Sequence, residues 1–245
     1  MKVREYLEKK LERGKVHMTL LDPDKRTPKD TASLAVHSCK VGTDAIMVGG
    51  STGVTRQKVD ATIKAIKTRT ATPVILFPSG KEGVSRYADA LYFMSLLNSK
   101  DVRVIVGEQR RASRMIKSWG LETISMGYLV VEPGMQAGKV GMAELIRRDD
   151  SDTAVQYALT AQMLGMDLVY LEAGSGAPRP VPPKMIRAVK KEISIPLIVG
   201  GGIRTAKAAK DVARAGADVV VTGTIVEEAG NFTVLRGIVE AVKER

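Results

Sequence analysis

The chain has 245 residues, of which 44% are hydrophobic, 27% charged and only 4% aromatic, and it carries a formal net charge of +11. These values fit one globular domain with an aliphatic core and exclude a disordered or fibrous chain. A single cysteine, Cys39, excludes an intramolecular disulfide and suits a reducing, cytoplasmic setting, and no apolar run reaches the roughly eighteen residues that a membrane span needs.

At the N-terminus, Leu7 and Leu11 stand four apart in a charged segment, the spacing of an amphipathic helix packed on a larger body. The same charge is too high for the apolar region of a signal peptide. From there, short β-branched runs alternate with helical patterns. The expected strands are 17–22, 44–48, 74–77, 90–95, 122–131, 168–172, 197–199 and 219–222. Most are almost continuously apolar, as parallel strands covered by helices are. Helical periodicity occupies 30–39, 56–69, the surroundings of Met115 and Ile116, 153–164, 183–191, 205–215 and 234–242. The alternation specifies an α/β chain folded as a (βα)8 TIM barrel, one domain over 1–245. The dinucleotide-binding alternative lacks its GxGxxG after the first strand. Residues 79–89 leave little room between the third and fourth strands, and Ser79, Gly80 and Gly83 interrupt them, so the third helix is expected to be short or missing. The stretch 132–148, with three glycines and a proline, reads as a lid or cover loop.

Barrel chemistry sits on the loops that follow the strands, with phosphate commonly held after strands seven and eight. Strand seven runs into Gly200, Gly201, Gly202, Ile203 and Arg204, and strand eight into Gly223 and Thr224. Glycines let main-chain N–H groups approach an oxyanion, although tight turns alone would also use them. In strand six, Tyr170 and Glu172 share one face, and a carboxylate there can accept a proton from a substrate hydroxyl; an ion pair inside the barrel is the structural alternative. Asp22 ends strand one and Asp24 follows it, where a carboxylate suits Mg2+ bridging to phosphate, or simply caps a turn. Ser51 follows strand two with a hydroxyl for the same metal or a phosphate. Asp149, Asp150 and Asp152 precede a helix and read as its acidic start rather than as a diphosphate motif. His17 and His37 have no Cys or His at zinc-ligand spacing. The cations are scattered and aromatic stacking residues scarce, which argues against nucleic acid as a partner.

Taken together, Leu21-Asp22-Pro23-Asp24-Lys25, Gly42-Thr43-Asp44-Ala45, Gly49-Gly50-Ser51, Tyr170-Leu171-Glu172-Ala173-Gly174-Ser175-Gly176, Gly200-Gly201-Gly202-Ile203-Arg204 and Gly223-Thr224 resemble the geranylgeranylglyceryl phosphate synthase family, whose relatives include heptaprenylglyceryl phosphate synthases. The resemblance implies a prenyltransferase of archaeal ether-lipid biosynthesis. Its partners would be sn-glycerol 1-phosphate, whose 3-hydroxyl is alkylated, and geranylgeranyl diphosphate, which releases pyrophosphate. By carry-over, Glu172 is the general base, and Asp22 and Ser51 hold Mg2+. Tyr170, Leu171, Glu172, Ala173, Gly174, Ser175, Gly176, Gly201, Gly202, Gly223 and Thr224 hold glycerol 1-phosphate. The resemblance further implies a cytoplasmic homo-oligomer, dimer or hexamer, that touches the membrane transiently to deliver its lipid product. The apolar groove for the donor is expected along 91–97 and the fifth strand. One departure is Leu20, where some relatives carry a lysine; Lys25 is then the candidate to supply that charge. Two alternatives stay open: the same reaction with a longer donor, and a different phosphate-binding barrel enzyme. A non-catalytic lipid- or nucleic-acid-binding protein is the reading that the +11 charge alone would give.

Overall fold

The computed structural model describes residues 1–50, 52–229 and 232–244. Its strands are β1 (Val16–Leu21), β2 (Ala45–Val48), β3 (Val74–Leu76), β4 (Ala90–Leu96), β5 (Glu122–Val130), β6 (Leu168–Glu172), β7 (Leu197–Gly200) and β8 (Val219–Thr222). Each pairs in parallel with the next, and β1 pairs with β8, so the sheet closes into a barrel. This is the expected TIM architecture, with strand ends within two residues of the sequence reading.

Alternation along the strands sorts side chains into two layers. Met18, Met47, Ile75, Tyr92, Met126, Tyr170, Ile198 and Val221 fill the barrel interior. Their neighbours, such as Leu21, Val48, Leu129, Leu171, Val199 and Val220, pack outward beneath the helices. That two-sided burial is why the strands read as continuous apolar runs. The N-terminal helix α1 (Val3–Leu11) closes the bottom of the barrel: Val3 and Leu7 are buried against the interior cluster, and Leu11 packs on it.

The outer helices are α2 (Pro28–Lys40), α3 (Arg56–Lys67), α4 (Glu108–Trp119), α6 (Ser151–Met163), α7 (Pro183–Glu192), α8 (Ala206–Arg214) and α10 (Phe232–Lys243), and their starts follow from local chemistry. Thr27, Thr55, Asp150 and Thr205 each accept an N–H three residues on, capping α2, α3, α6 and α8. Asp150 is therefore a cap, as the acidic run suggested. Between β3 and β4 there is only a single 3-10 turn, Lys81–Gly83, so the third helix is missing as expected. Two features differ from the sequence reading. The 132–148 stretch is not wholly irregular but contains a six-residue helix, α5 (Met135–Val140). The helix around Met115 is preceded without a break by one turn of π-helix, Arg103–Gly107. After β8 a short helix, α9 (Thr224–Ala229), starts directly on Thr224.

Candidate active site

Glu172 is the last residue of β6 and points into the barrel mouth, 5% exposed. Its Oε1 accepts the N–H of Gly174 at 2.6 Å, which fixes the carboxylate against its own loop. Burial raises its pKa from the ordinary carboxylate value; the Gly174 N–H and the nearby Tyr170 and Tyr128 hydroxyls pull the other way. Burial, and then the charge of Glu172, push both phenols up, so they stay protonated beside it. The result is a buried carboxylate with no cation bound to it in a salt bridge among the described residues, which is the environment of a proton acceptor rather than of an ion pair inside the barrel.

The β6, β7 and β8 loops converge on this group. A small recess of roughly 30 Å³ is walled by Glu172, Ser175, Gly176, Gly201, Gly202 and Thr224. Ser175 Oγ and Thr224 Oγ1 lie 3.1 Å apart and tie the β6 loop to the start of α9. The Val226 and Glu227 N–H groups of that helix are spent on the Gly223 carbonyl, at 2.9 and 3.2 Å, which holds the turn after β8 against the recess. Gly201 explains why a glycine is needed here: φ is +83°, and a Cβ would lie 2.4 Å from Glu172 Oε1. Tyr170 is buried beneath the recess. Leu171 and Ala173 are placed differently from the rest of the carried-over set. Their side chains sit in the outer layer, and Ala173 spends its N–H on Gly200 and its carbonyl on Gly134. They shape the loop and present no side chain to the recess.

A second cavity, roughly 380 Å³, opens over β1 to β5, within the range of about 300–1,000 Å³ typical of small-ligand sites. Its inner end is shared with the recess through Leu20, Glu172, Ser175 and Gly223. Beyond Glu172 the walls become aromatic and then aliphatic: Phe77, Tyr92 and Tyr128, then Leu91, Leu96 and Ile116. Phe77 is the hub of the aromatic part, with ring centroids 5.5 Å from both Tyr128 and Tyr170 and 6.3 Å from Tyr92. The expected 91–97 wall is present, and β5 contributes Tyr128. The outer wall, from Val104, Ala112, Ile116 and Val140, was missed. The 3.6-residue spacing of Ala112 and Ile116 was legible, but it cannot tell a face packed on strands from one that lines a cavity.

Asp22 stands at the rim of the same cavity. Burial raises its pKa, and it has no salt-bridge partner among the described residues. Asp22 Oδ1 accepts the Asp24 N–H at 2.9 Å. Gly50 brings the β2 loop so close that a Cβ there would lie 2.5 Å from Asp22 Oδ1. A lone, partly desolvated carboxylate with backbone packed against it suits a hard cation that draws its other ligands from substrate phosphate and water. No cluster of three or more His, Cys, Asp or Glu that could hold a metal occurs among the described residues. Ser51, the other expected metal ligand, lies outside the described residues. Lys25, the candidate to replace the missing lysine, lines the cavity but is bound to Glu227 at 2.5 Å, and Glu227 in turn accepts the Asp22 N–H at 2.8 Å. Glu227 was not anticipated; it lies past the recognisable Gly223-Thr224 pair, and only the fold brings it to β1.

A model of the PcrB family matches residues 7–242. Among curated relatives, the geranylgeranylglyceryl phosphate synthase of Thermococcus kodakarensis is 53% identical over 230 residues, covering 94% of this chain and 91% of that one. Among solved structures, (S)-3-O-geranylgeranylglyceryl phosphate synthase from Thermoplasma acidophilum, in complex with its substrate sn-glycerol-1-phosphate, is 50% identical with a TM-score of 0.97 over the whole of both chains. The wild-type enzyme of Thermoplasma volcanium is 49% identical, with a TM-score of 0.96 over 99% of this chain and 98% of that one.

Proposed function

This chain belongs to the PcrB family, and from that premise we propose that it joins the 3-hydroxyl of sn-glycerol 1-phosphate to C1 of geranylgeranyl diphosphate as an ether. The observation that carries the reading is the meeting of two unlike chambers at one buried carboxylate, Glu172. A glycine-walled recess on β6, β7 and β8 suits a small phosphate ester, and a long apolar cavity over β1 to β5 suits a prenyl chain. The relative solved with sn-glycerol-1-phosphate supports the first assignment.

The chemistry follows from the arrangement. Glu172 accepts the proton of the 3-hydroxyl as its oxygen bonds to C1. The bond from C1 to the diphosphate oxygen breaks, and its electron pair leaves with pyrophosphate. Carbon one is allylic, so positive charge that develops there is shared with the alkene, and the π faces of Phe77 and the neighbouring tyrosines favour it. Residues that hold both partners in line convert an encounter into a directed displacement. Asp22, with Ser51, would hold Mg2+ against the diphosphate, where the ion supplies neutralisation of leaving-group charge. Affinity for the donor comes mostly from its tail, at about 0.8 kcal/mol per buried CH2. The charged groups then fix orientation more than they add binding.

The test is incubation with Mg2+, sn-glycerol 1-phosphate and prenyl diphosphates of several lengths, with the ether product read by mass spectrometry. Most product with the C20 donor supports the proposal in full. Product confined to longer donors keeps the chemistry and changes the donor. No product from folded protein that binds glycerol phosphate overturns it.

A further inference from the structure

The apolar cavity opens beside a surface that is itself apolar. Val102, Val106, Val140 and Met142 are 67%, 55%, 40% and 54% exposed, which is unusual for large aliphatic side chains. They come from two segments that the structure holds together. Ser99 and Ala143 form an antiparallel bridge, and the Lys100 N–H reaches the Met142 carbonyl at 3.0 Å. Val104 and Val140, from the same two segments, line the cavity, so the exposed patch is continuous with the cavity wall.

The surroundings of this patch are basic. Residues 99–117 carry six cations against two carboxylates. Arg103 and Arg111 are paired with Asp101 and Glu108. Arg110, Arg114 and Lys117 on α4 and Lys139 on α5 are exposed and have no ion-pair partner among the described residues. Val102, Val106, Arg110 and Arg114 follow at four-residue intervals, so one stripe passes from apolar at the mouth to cationic along the helix. Aliphatic knobs with a cationic flank are the chemistry of a surface that settles into the headgroup layer of an anionic bilayer. A second copy of this chain fits worse, because a self-complementary contact would bring the unpaired cations of both copies together.

We propose that the 99–107 segment, α5 and the exposed face of α4 form a docking surface for an anionic lipid membrane, placing the mouth of the apolar cavity at the bilayer. The purpose of that placement rests on the prenyl reading of the cavity: a C20 donor and its ether product would pass between lipid and protein without crossing water. The contact would be peripheral, since no helix among the described residues is long and apolar enough to cross a membrane.

The experiment is co-sedimentation of the substrate-free protein with vesicles of phosphatidylglycerol and phosphatidylcholine in equal parts, and with phosphatidylcholine alone. Wild-type protein should bind the anionic vesicles, release at high salt, and leave neutral vesicles largely unbound. Val102→Asp/Val106→Asp should reduce the bound fraction about tenfold or more. Arg110→Glu/Arg114→Glu, an independent variant on solvent-facing side chains, should do the same if the first fails to fold. The arginine variant should still form ether from detergent-dispersed donor. Loss of ether formation in the wild type would count against the prenyl reading and leave the vesicle result standing. Absence of vesicle binding, or equal binding by wild type and folded variants, overturns the docking surface. So does a change of oligomeric state in the variants with vesicle binding intact, which would make this face a protein contact.

Discussion

Asp22 and Glu172 are both carboxylates with pKa values raised by burial, yet their surroundings differ. Glu172 is enclosed by an N–H and two phenols, all of them donors, and its free oxygen can only gain a proton. Asp22 sits at the rim with backbone packed against it, partly desolvated and without a salt-bridge partner of its own among the described residues, while the nearby Glu227 is paired with Lys25; a divalent cation would suit a carboxylate placed as Asp22 is. Replacing Asp22 by Asn should therefore raise the Mg2+ concentration needed for half-maximal rate by about tenfold or more, while sn-glycerol 1-phosphate affinity changes little. Titration of rate against Mg2+, with calorimetry of glycerol phosphate binding, checks this; equal loss of both in folded protein would contradict it. Most of these residues were legible in the sequence because short glycine-bounded motifs carry them. Glu227 was not, because nothing near it in sequence marks a residue that closes against β1. Leu171 and Ala173 show the reverse limit: they lie inside a recognisable motif, but strand alternation turns them away from the recess.

At the scale of elements, the eight-fold alternation was readable because parallel strands are buried on both faces and helices on one. What escaped was the use of particular faces. The π turn before α4 and the six-residue α5 form the outer wall of the apolar cavity, and neither has a strong periodic signature. Val104, half-buried on that π turn, is the place to test the wall. Val104→Trp should shorten the cavity and raise the preference for a C10 over a C20 donor by roughly tenfold or more in kcat/KM ratio, since each misfitted methylene is worth about 1–3 kcal/mol. An unchanged ratio would remove this wall from the donor site. On the opposite face of β1, His17 is wholly buried between Thr43 at 2.7 Å and Thr222 at 3.0 Å, linking β1 to β2 and β8. Burial holds its pKa down to about 3, with Asp44 opposing and Lys243 assisting. In the unfolded chain the same ring titrates near 6.5, so between about 6.5 and 3 the unfolded state binds a proton that the folded state refuses. Its contribution is complete above that window and is lost as pH falls through it, with a slope approaching about 1.4 kcal/mol per pH unit. Urea unfolding at pH 7 and pH 5 should show a smaller acid loss in His17→Gln than in the wild type; equal losses would contradict the assignment.

For the molecule as a whole, closure of the sheet is what makes the site. The bottom is sealed by α1, the interior is filled by side chains from the strands, and the top is left to the loops. Around that top, strands six to eight supply glycines and short hydroxyl side chains, while strands one to five supply an apolar basin. The missing third helix belongs to the same division, because Pro78, Ser79, Gly80 and Lys81 line the basin where a longer connection would stand. On the proposed reading, two substrates of opposite character would approach one another from two sides, and Glu172 is the carboxylate that both chambers share.

The most direct test of that arrangement is Glu172→Gln, a change of charge with almost no change of shape. With both substrates and Mg2+ present, turnover should fall by about a hundredfold to ten-thousandfold, the usual worth of a general base, while calorimetry still finds sn-glycerol 1-phosphate bound. In the wild type, the same base should give a rate that declines as pH falls through the raised Glu172 pKa, because burial lifts it from the ordinary carboxylate value and the protonated acid cannot accept the hydroxyl proton. That decline should be absent from the residual activity of the variant. A variant that turns over at near wild-type rate with the acid decline unchanged would show that the proton goes elsewhere and that the shared carboxylate is not where the reaction is run.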